Sequence, residues 1–358
     1  PRRAGINSFS LNGTNCHVVL EEAPLLEQVT NPPHPGIITI SAKTGDALKN
    51  NCRALKEWLD KDNTVTLDDI CYTMNTSRAH YGQRLAFVCE TRDQLKEILT
   101  GMEADGYVPG RPGILYNHVH KEKEKENTKA VFLFSGSKED TQRLSAEMVR
   151  KGLIGGRYID ECREYVELEK HPGALYFAFQ YVLAKIWMDL GIKPAFVLGF
   201  GEGKFVSRVI SGNMKLQEAL RHVLENPGED SFNNEKFQGN VKYLASKGQT
   251  LYIEIGPRNT LSSSIEEMSP GIPGLQVMYS YGAEDNEKTL MRSIAGLYTQ
   301  GYPVNFASLF PGNKVVLPAY RFERKRYWVA KNNQDTPPHR VISGNEYEEW
   351  RKLKALLA

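Results

Sequence analysis

The sequence has little of what would place a chain in a membrane, in an oxidising compartment or on a nucleic acid. No apolar run reaches the length needed to cross a bilayer, and Pro1-Arg2-Arg3-Ala4-Gly5 lacks the apolar stretch of an export signal. The five cysteines (Cys16, Cys52, Cys71, Cys89 and Cys162) are scattered and odd in number, with no C-x-x-C pair. That argues against a disulfide framework or a zinc site, and predicts buried free thiols in a reducing compartment, the cytoplasm. Charge of one sign is also missing: 45 Lys and Arg stand against 43 Asp and Glu, a net +2. Such a balance gives no strong attraction to nucleic acid or anionic lipid. An initiator Met is absent as well, and a piece of a longer chain is expected.

What is present is ordinary for globular protein, with 41% apolar and 25% charged residues over a length that suits two modest domains. Residues 1–24 resemble the end of a domain: a turn composition at Asn12-Gly13-Thr14-Asn15 leads into the strand-like run Val18-Val19-Leu20. Pro32-Pro33-His34-Pro35-Gly36 follows as a linker. A small α/β unit is then predicted in the order strand, helix, helix, strand, helix. Gly36 to Ile40 is the first strand. Leu48, Cys52, Leu55 and Leu59 recur at helical spacing. Thr66 or Asp68 caps a helix bearing Leu67, Ile70 and Met74. Arg84 to Cys89 is a strand, and Thr91 caps a helix bearing Leu95, Ile98 and Leu99. Residues 107–129, with the run Lys121-Glu122-Lys123-Glu124-Lys125-Glu126, are expected to be a solvated connector.

The second domain opens on Ala130-Val131-Phe132-Leu133-Phe134, a continuous apolar run that predicts a parallel strand buried on both faces. Helical periodicity runs over residues 147–168. Gly173 to Leu190 is apolar all round, as befits a buried core helix rather than a cofactor box. Two further strands, Ala195 to Leu198 and Leu251 to Ile255, alternate with helices and imply a doubly wound α/β sheet. Asn313 to Val329 suits an extended segment laid over the surface, and Glu346 to Leu357 a short amphipathic helix.

Strand, tight turn and helix succeed one another at Val197 to Lys204, the layout of a nucleophile elbow, which requires Ser or Cys at its apex. The apex is Gly201. Here the chain resembles the acyltransferase domains of polyketide and fatty-acid synthases. Their G-H-S-x-G-E motif corresponds to Gly199-Phe200-Gly201-Glu202-Gly203-Lys204, and Ser211 to Leu220 matches the stretch that comes next in them. Arg2 to Phe9 and Gly13 to Pro24 are similar to the end of a ketosynthase. Cys71 to Arg78 and Arg84-Leu85-Ala86 are similar to the domain linking ketosynthase to acyltransferase. Ile253-Glu254-Ile255-Gly256-Pro257 resembles the late strand of the acyltransferase, and Leu317-Pro318-Ala319-Tyr320-Arg321-Phe322-Glu323-Arg324-Lys325-Arg326-Tyr327-Trp328 its following linker.

The departures all remove chemistry. The nucleophile position holds Gly201, and Ser137 stands where the family's oxyanion-loop Gln would be. Ala219 to Gly228 runs almost directly into Phe237 to Val241, so the ferredoxin-like subdomain, with its catalytic His and carboxylate-binding Arg, is expected to be missing. Competing readings are weaker. Gly199-x-Gly201-x-Gly203-Lys204 lacks the residues of a phosphate loop or a dinucleotide fingerprint. His222 and His17 are expected to be structural, and Ser135 and Ser137 have no evident base.

The resemblance therefore implies an α/β chain: a small α/β linker domain plus a truncated α/β-hydrolase-like acyltransferase remnant lacking the ferredoxin-like subdomain. Its divisions are 1–24, the end of a ketosynthase; 25–120, the linker domain; 121–310, the inactive acyltransferase; 311–330, the post-acyltransferase linker; and 331–358, a connector. No catalytic residue, metal or cofactor is expected, nor any nucleic-acid or membrane partner. The expected role is a scaffold beside a ketosynthase in the same chain. It would dock a trans-acting acyltransferase or an acyl carrier protein, with Arg321, Arg324, Lys325 and Arg326 as the basic contact. Two rivals remain open: acyl transfer or hydrolysis by an unorthodox nucleophile, and a partnerless spacer.

Overall fold

The computed structural model describes residues 1–23, 34–62, 64–106, 111–120, 130–136, 156–225, 233–257, 260–281, 286–309, 311–324, 348 and 351–352. The chain divides into two units, Pro1–Arg321 and Phe322–Ala358. In the second, residues 322–324 have no regular structure and Glu348, Arg351 and Lys352 are helical, so most of the expected Glu346–Leu357 helix lies outside the described residues.

The first unit begins with a hairpin. β1 (Arg3–Phe9) pairs antiparallel with β2 (Asn15–Glu21), turning at Gly13 with φ +86°. The sequence pointed to one strand here, whereas two are present. Both are exposed throughout, Cys16 included, which corrects the expectation that every thiol is buried. The other four cysteines are buried, and burial pushes the thiols of Cys52, Cys89 and Cys162 up to about 12.

The small α/β unit forms as its caps and periodicity require. β3 (Gly36–Ala42) is followed by α1 (Gly45–Lys61), α2 (Leu67–Thr76), β4 (Gln83–Cys89) and α3 (Arg92–Ala104). Thr44, Thr66 and Thr91 each accept a hydrogen bond from the backbone N–H three residues on, satisfying a donor that the first helical turn leaves free. Within residues 107–129, which the sequence assigned to a connector, β5 (Ile114–His118) adds a third antiparallel strand in the order β3-β4-β5. The charged run 121–126 lies outside the described residues. Alternation along the strands splits two cores: Ile38, Ile40, Leu85 and Phe87 pack with α1, α2 and α3, while Ile37 and Ala86 face the larger core of the second domain.

That second domain carries a four-stranded parallel sheet, β6 (Ala130–Phe134), β7 (Pro194–Gly199), β8 (Leu251–Ile255) and β9 (Gln276–Tyr279), in the order β7-β6-β8-β9. β6 and β8 are buried on both faces, as their unbroken apolar runs predict. On one side lie α4 (Gly156–Arg163), α5 (Pro172–Asp189), α6 (Gly203–Ile210), α7 (Leu216–Glu225) and α10 (Asn286–Thr299). On the other lie α8 (Asn234–Ser246) and α9 (Thr260–Met268). α5 contributes Tyr176, Phe177, Phe179, Val182, Leu183 and Trp187, all buried, which explains why its sequence is apolar around the whole circumference. α10 joins the domains, because its outer face packs on β4 and β5. Of the predicted helix over 147–168, residues 147–155 lie outside the described residues; α4 and the turn at Leu168–Lys170 lie inside them.

Residues 311–321 run extended over the small unit. Val315 N–H donates to Thr73 Oγ1 (2.9 Å), Arg78 Nη2 donates to the Leu317 carbonyl (3.1 Å), and Lys43 N–H donates to the Tyr320 hydroxyl (3.0 Å). Leu317 is buried in the core of that unit.

Candidate functional site

In an open α/β sheet, sites form at the carboxyl ends of the strands where the order of winding reverses. Here that point is β6, flanked by β7 on one side and β8 on the other, and the sequence places its elbow at the same edge. β7 ends at Gly199, the turn is Phe200-Gly201-Glu202, and α6 starts at Gly203. Phe200 N–H donates to the Phe134 carbonyl (2.9 Å), which ties the turn to the end of β6.

The glycine spacing has a steric cause. A Cβ on Gly199 would fall 2.5 Å from the Gly203 carbonyl oxygen and from Ser207 Oγ. One on Gly203 would fall 2.5 Å from the Phe134 carbonyl oxygen. Strand, turn and helix are therefore packed backbone to backbone, and neither flanking position accepts a side chain. The apex, Gly201, has φ +55°, in the left-handed region that costs other residues about 1–2 kcal/mol. A Cβ there would lie 2.8 Å from the Cα of Gly136, in the segment leaving β6. The space in which an elbow nucleophile would begin is thus filled by backbone.

That segment is held from below. The buried Gln180 amide donates to the carbonyls of Ser135 and Ile255, each at 3.0 Å, and the buried Tyr176 phenol lies 3.1 Å from the carbonyls of Ser135 and Gly136. Ser135 Oγ is 3.0 Å from the same phenol. Burial raises the pKa of Tyr176 well above that of an ordinary tyrosine, with the carboxylates of Glu254 and Glu202 adding to the rise. Neither Tyr176 nor Gln180 was singled out from sequence, since both are hidden in an apolar helix. Next door, the buried Glu254 accepts from the backbone N–H groups of Leu261 (3.1 Å) and Ser262 (2.7 Å), placing a carboxylate on the amino end of α9.

The remaining predicted residues sit apart. Ser137, in the oxyanion-loop position, lies outside the described residues. Lys204 opens α6 with its ammonium 5.3 Å from the Phe205 ring centre. His222 stacks on Phe205 at 5.7 Å and lies 3.9–4.0 Å from Glu218 and Glu225, a surface cluster of α7. His17 bonds Asn7 across the exposed hairpin. Arg321 and Arg324 are exposed, and Lys325 and Arg326 lie outside the described residues. No cluster of three or more metal-ligating side chains occurs among the described residues, and no helix among them is long and apolar enough to cross a membrane. Between α7 and α8 the chain has only residues 226–233.

With the elbow and its sheet defined, comparison with known proteins gives them a context. Residues 36–99 match the family described as CurL-like, PKS C-terminal. Erythronolide synthase EryA2 of Saccharopolyspora erythraea is 28% identical over 252 residues, covering 62% of this chain. Phthioceranic/hydroxyphthioceranic acid synthase of Mycobacterium tuberculosis is 25% identical over 248 residues, again 62% of this chain. The chain is homologous to a segment of polyketide synthases. It spans 7% of the first of these relatives and 11% of the second. In fold it is similar to the acyl transferase domain of ZmaA (TM-score 0.63, 16% identity, 81% of this chain and 100% of that one). The acyltransferase domain from module 8 of the salinomycin polyketide synthase also superposes (TM-score 0.58, 14% identity, 77% of this chain and 98% of that one). The mixed α/β architecture is accordingly similar to that of these acyltransferase domains.

Proposed function

We propose that this chain is a non-catalytic acyltransferase remnant of a polyketide synthase. It spaces the flanking domains, a ketosynthase among them, and offers a docking surface to a trans-acting acyltransferase or an acyl carrier protein. The observation that carries this reading is the packing of Gly136 on Gly201. Acyl transfer through an elbow needs an attacking oxygen and room for a tetrahedral intermediate beside it, and this apex has neither a hydroxyl nor the space for one.

Three further features support it. Ser137 replaces the side-chain amide of the family's oxyanion loop. α7 passes to α8 through residues 226–233, too short a segment to contain a separate subdomain with a catalytic His. His222, on α7, is stacked on Phe205 between two glutamates. Removing one member of a nucleophile–base pair costs most of the rate, and the elbow apex among the described residues carries glycine in place of a nucleophile.

The docking half of the reading is tested by titrating the purified chain with the acyltransferase and carrier protein of the same biosynthetic system in a calorimeter. Saturable association with either one is expected. Absence of binding to both leaves a partnerless spacer.

A further inference from the structure

One cavity away from the elbow has a chemistry that the scaffold role does not use. It lies between the small sheet unit and the extended segment 311–321 and encloses about 250 Å³. Leu55 and Met74 give it apolar lining, Tyr81 and Tyr320 aromatic lining, and Arg78 and His80 polar lining. The two tyrosine rings meet edge to face, 5.3 Å between centres.

The charge is one-sided. Among the described residues that line the cavity there is no Asp or Glu. His80 is partly buried, with Nε2 3.2 Å from the Asn75 carbonyl and Nδ1 2.9 Å from the Tyr298 hydroxyl, and burial lowers the ring's proton affinity. Arg78 is the cation. It is partly buried, and Nη2 donates to the carbonyls of Leu317 (3.1 Å) and Pro318 (3.3 Å). A guanidinium has five N–H donors, and these two carbonyls engage only those on Nη2. A cation drawn partly out of water, with two carbonyls as its partners among the described residues, favours an anion beside it. Lys43 adds a second positive charge near the rim, its ammonium 5.6 Å from the Tyr81 ring centre.

We propose that this cavity binds a small oxyanion with an aromatic or apolar body, Arg78 taking the charged group and Tyr81 and Tyr320 the ring. Its volume is below the roughly 300–1,000 Å³ of sites that hold drug-sized ligands, so the ligand is a small one. Carboxylate and phosphate monoester share the required chemistry. Arg78 and Tyr320 also hold the strap, because Tyr320 Oη accepts from Lys43 N–H, so an occupied cavity tightens residues 311–321 onto the small unit.

The test titrates the full chain with phenyl phosphate and with benzoate. Binding is followed by calorimetry, and hydrogen exchange is read at the amides of Lys43 and Arg321, whose acceptors are Tyr320 Oη and Asn51 Oδ1. One-to-one binding of either compound with slower exchange at both amides is expected; which compound binds identifies the anion. Arg78→Gln is expected to weaken binding about tenfold or more, and Arg78→Lys to recover part of it. Should Arg78→Gln fail to fold, Tyr81→Ala gives the second reading, with a loss expected for both ligands. The proposal is overturned if neither compound saturates at millimolar concentration, or if binding survives unchanged in folded Arg78→Gln or Tyr81→Ala.

Discussion

Gly136 and Gly201 come from different strand ends and meet as bare backbone, the Cα of one lying 2.8 Å from where a Cβ on the other would stand. This contact joins the ends of β6 and β7 backbone to backbone. Gly201→Ser is therefore expected to destabilise the chain by about 2–4 kcal/mol, from the left-handed backbone cost together with overpacking. Denaturant unfolding measures it, and an unchanged midpoint would mean that the loop yields freely.

Tyr176 and Gln180 fix the Gly136 side of that joint. Tyr176→Phe removes the buried hydroxyl that faces two partly buried carbonyls and one serine, and should cost about 1–3 kcal/mol with the fold retained. The same unfolding experiment checks it.

Glu254 satisfies two backbone donors at the amino end of α9 with a buried carboxylate. Glu254→Ala leaves both donors buried and unpaired. A loss of about 2–4 kcal/mol is expected, accompanied by faster hydrogen exchange at Leu261 and Ser262.

His80 gives the stability a pH dependence. Burial is the main cause of its lowered proton affinity, and Arg84 contributes in the same direction. The unfolded chain, whose histidines titrate near about 6.5, then binds the proton more readily than the folded one. Stability from this group is complete above that value and declines as pH falls through the lower folded value. Unfolding midpoints between pH 7 and pH 5 should fall less steeply in His80→Gln than in the parent chain.

Much of the fold is legible in the sequence because its signals are local. Thr44, Thr66 and Thr91 precede apolar residues at helical spacing, and β6 is five apolar residues in a row. β5 and β9 are not legible. Ile114–His118 and Gln276–Tyr279 are short, edge-placed and only partly buried, and each is a strand because its neighbour supplies hydrogen bonds. The elbow is legible as a spacing of glycines, yet its closure is not, since Gly136 and Gly201 are distant in sequence. The Tyr176–Gln180 support is likewise hidden, because polar tips in an otherwise apolar helix carry no periodic signal.

The central claim is the absence of acyl chemistry, and intact mass spectrometry after incubation with malonyl-CoA or acetyl-CoA tests it most directly. The unmodified mass is predicted at all times. A stoichiometric acyl adduct, formed within minutes and lost on hydrolysis, would contradict the account.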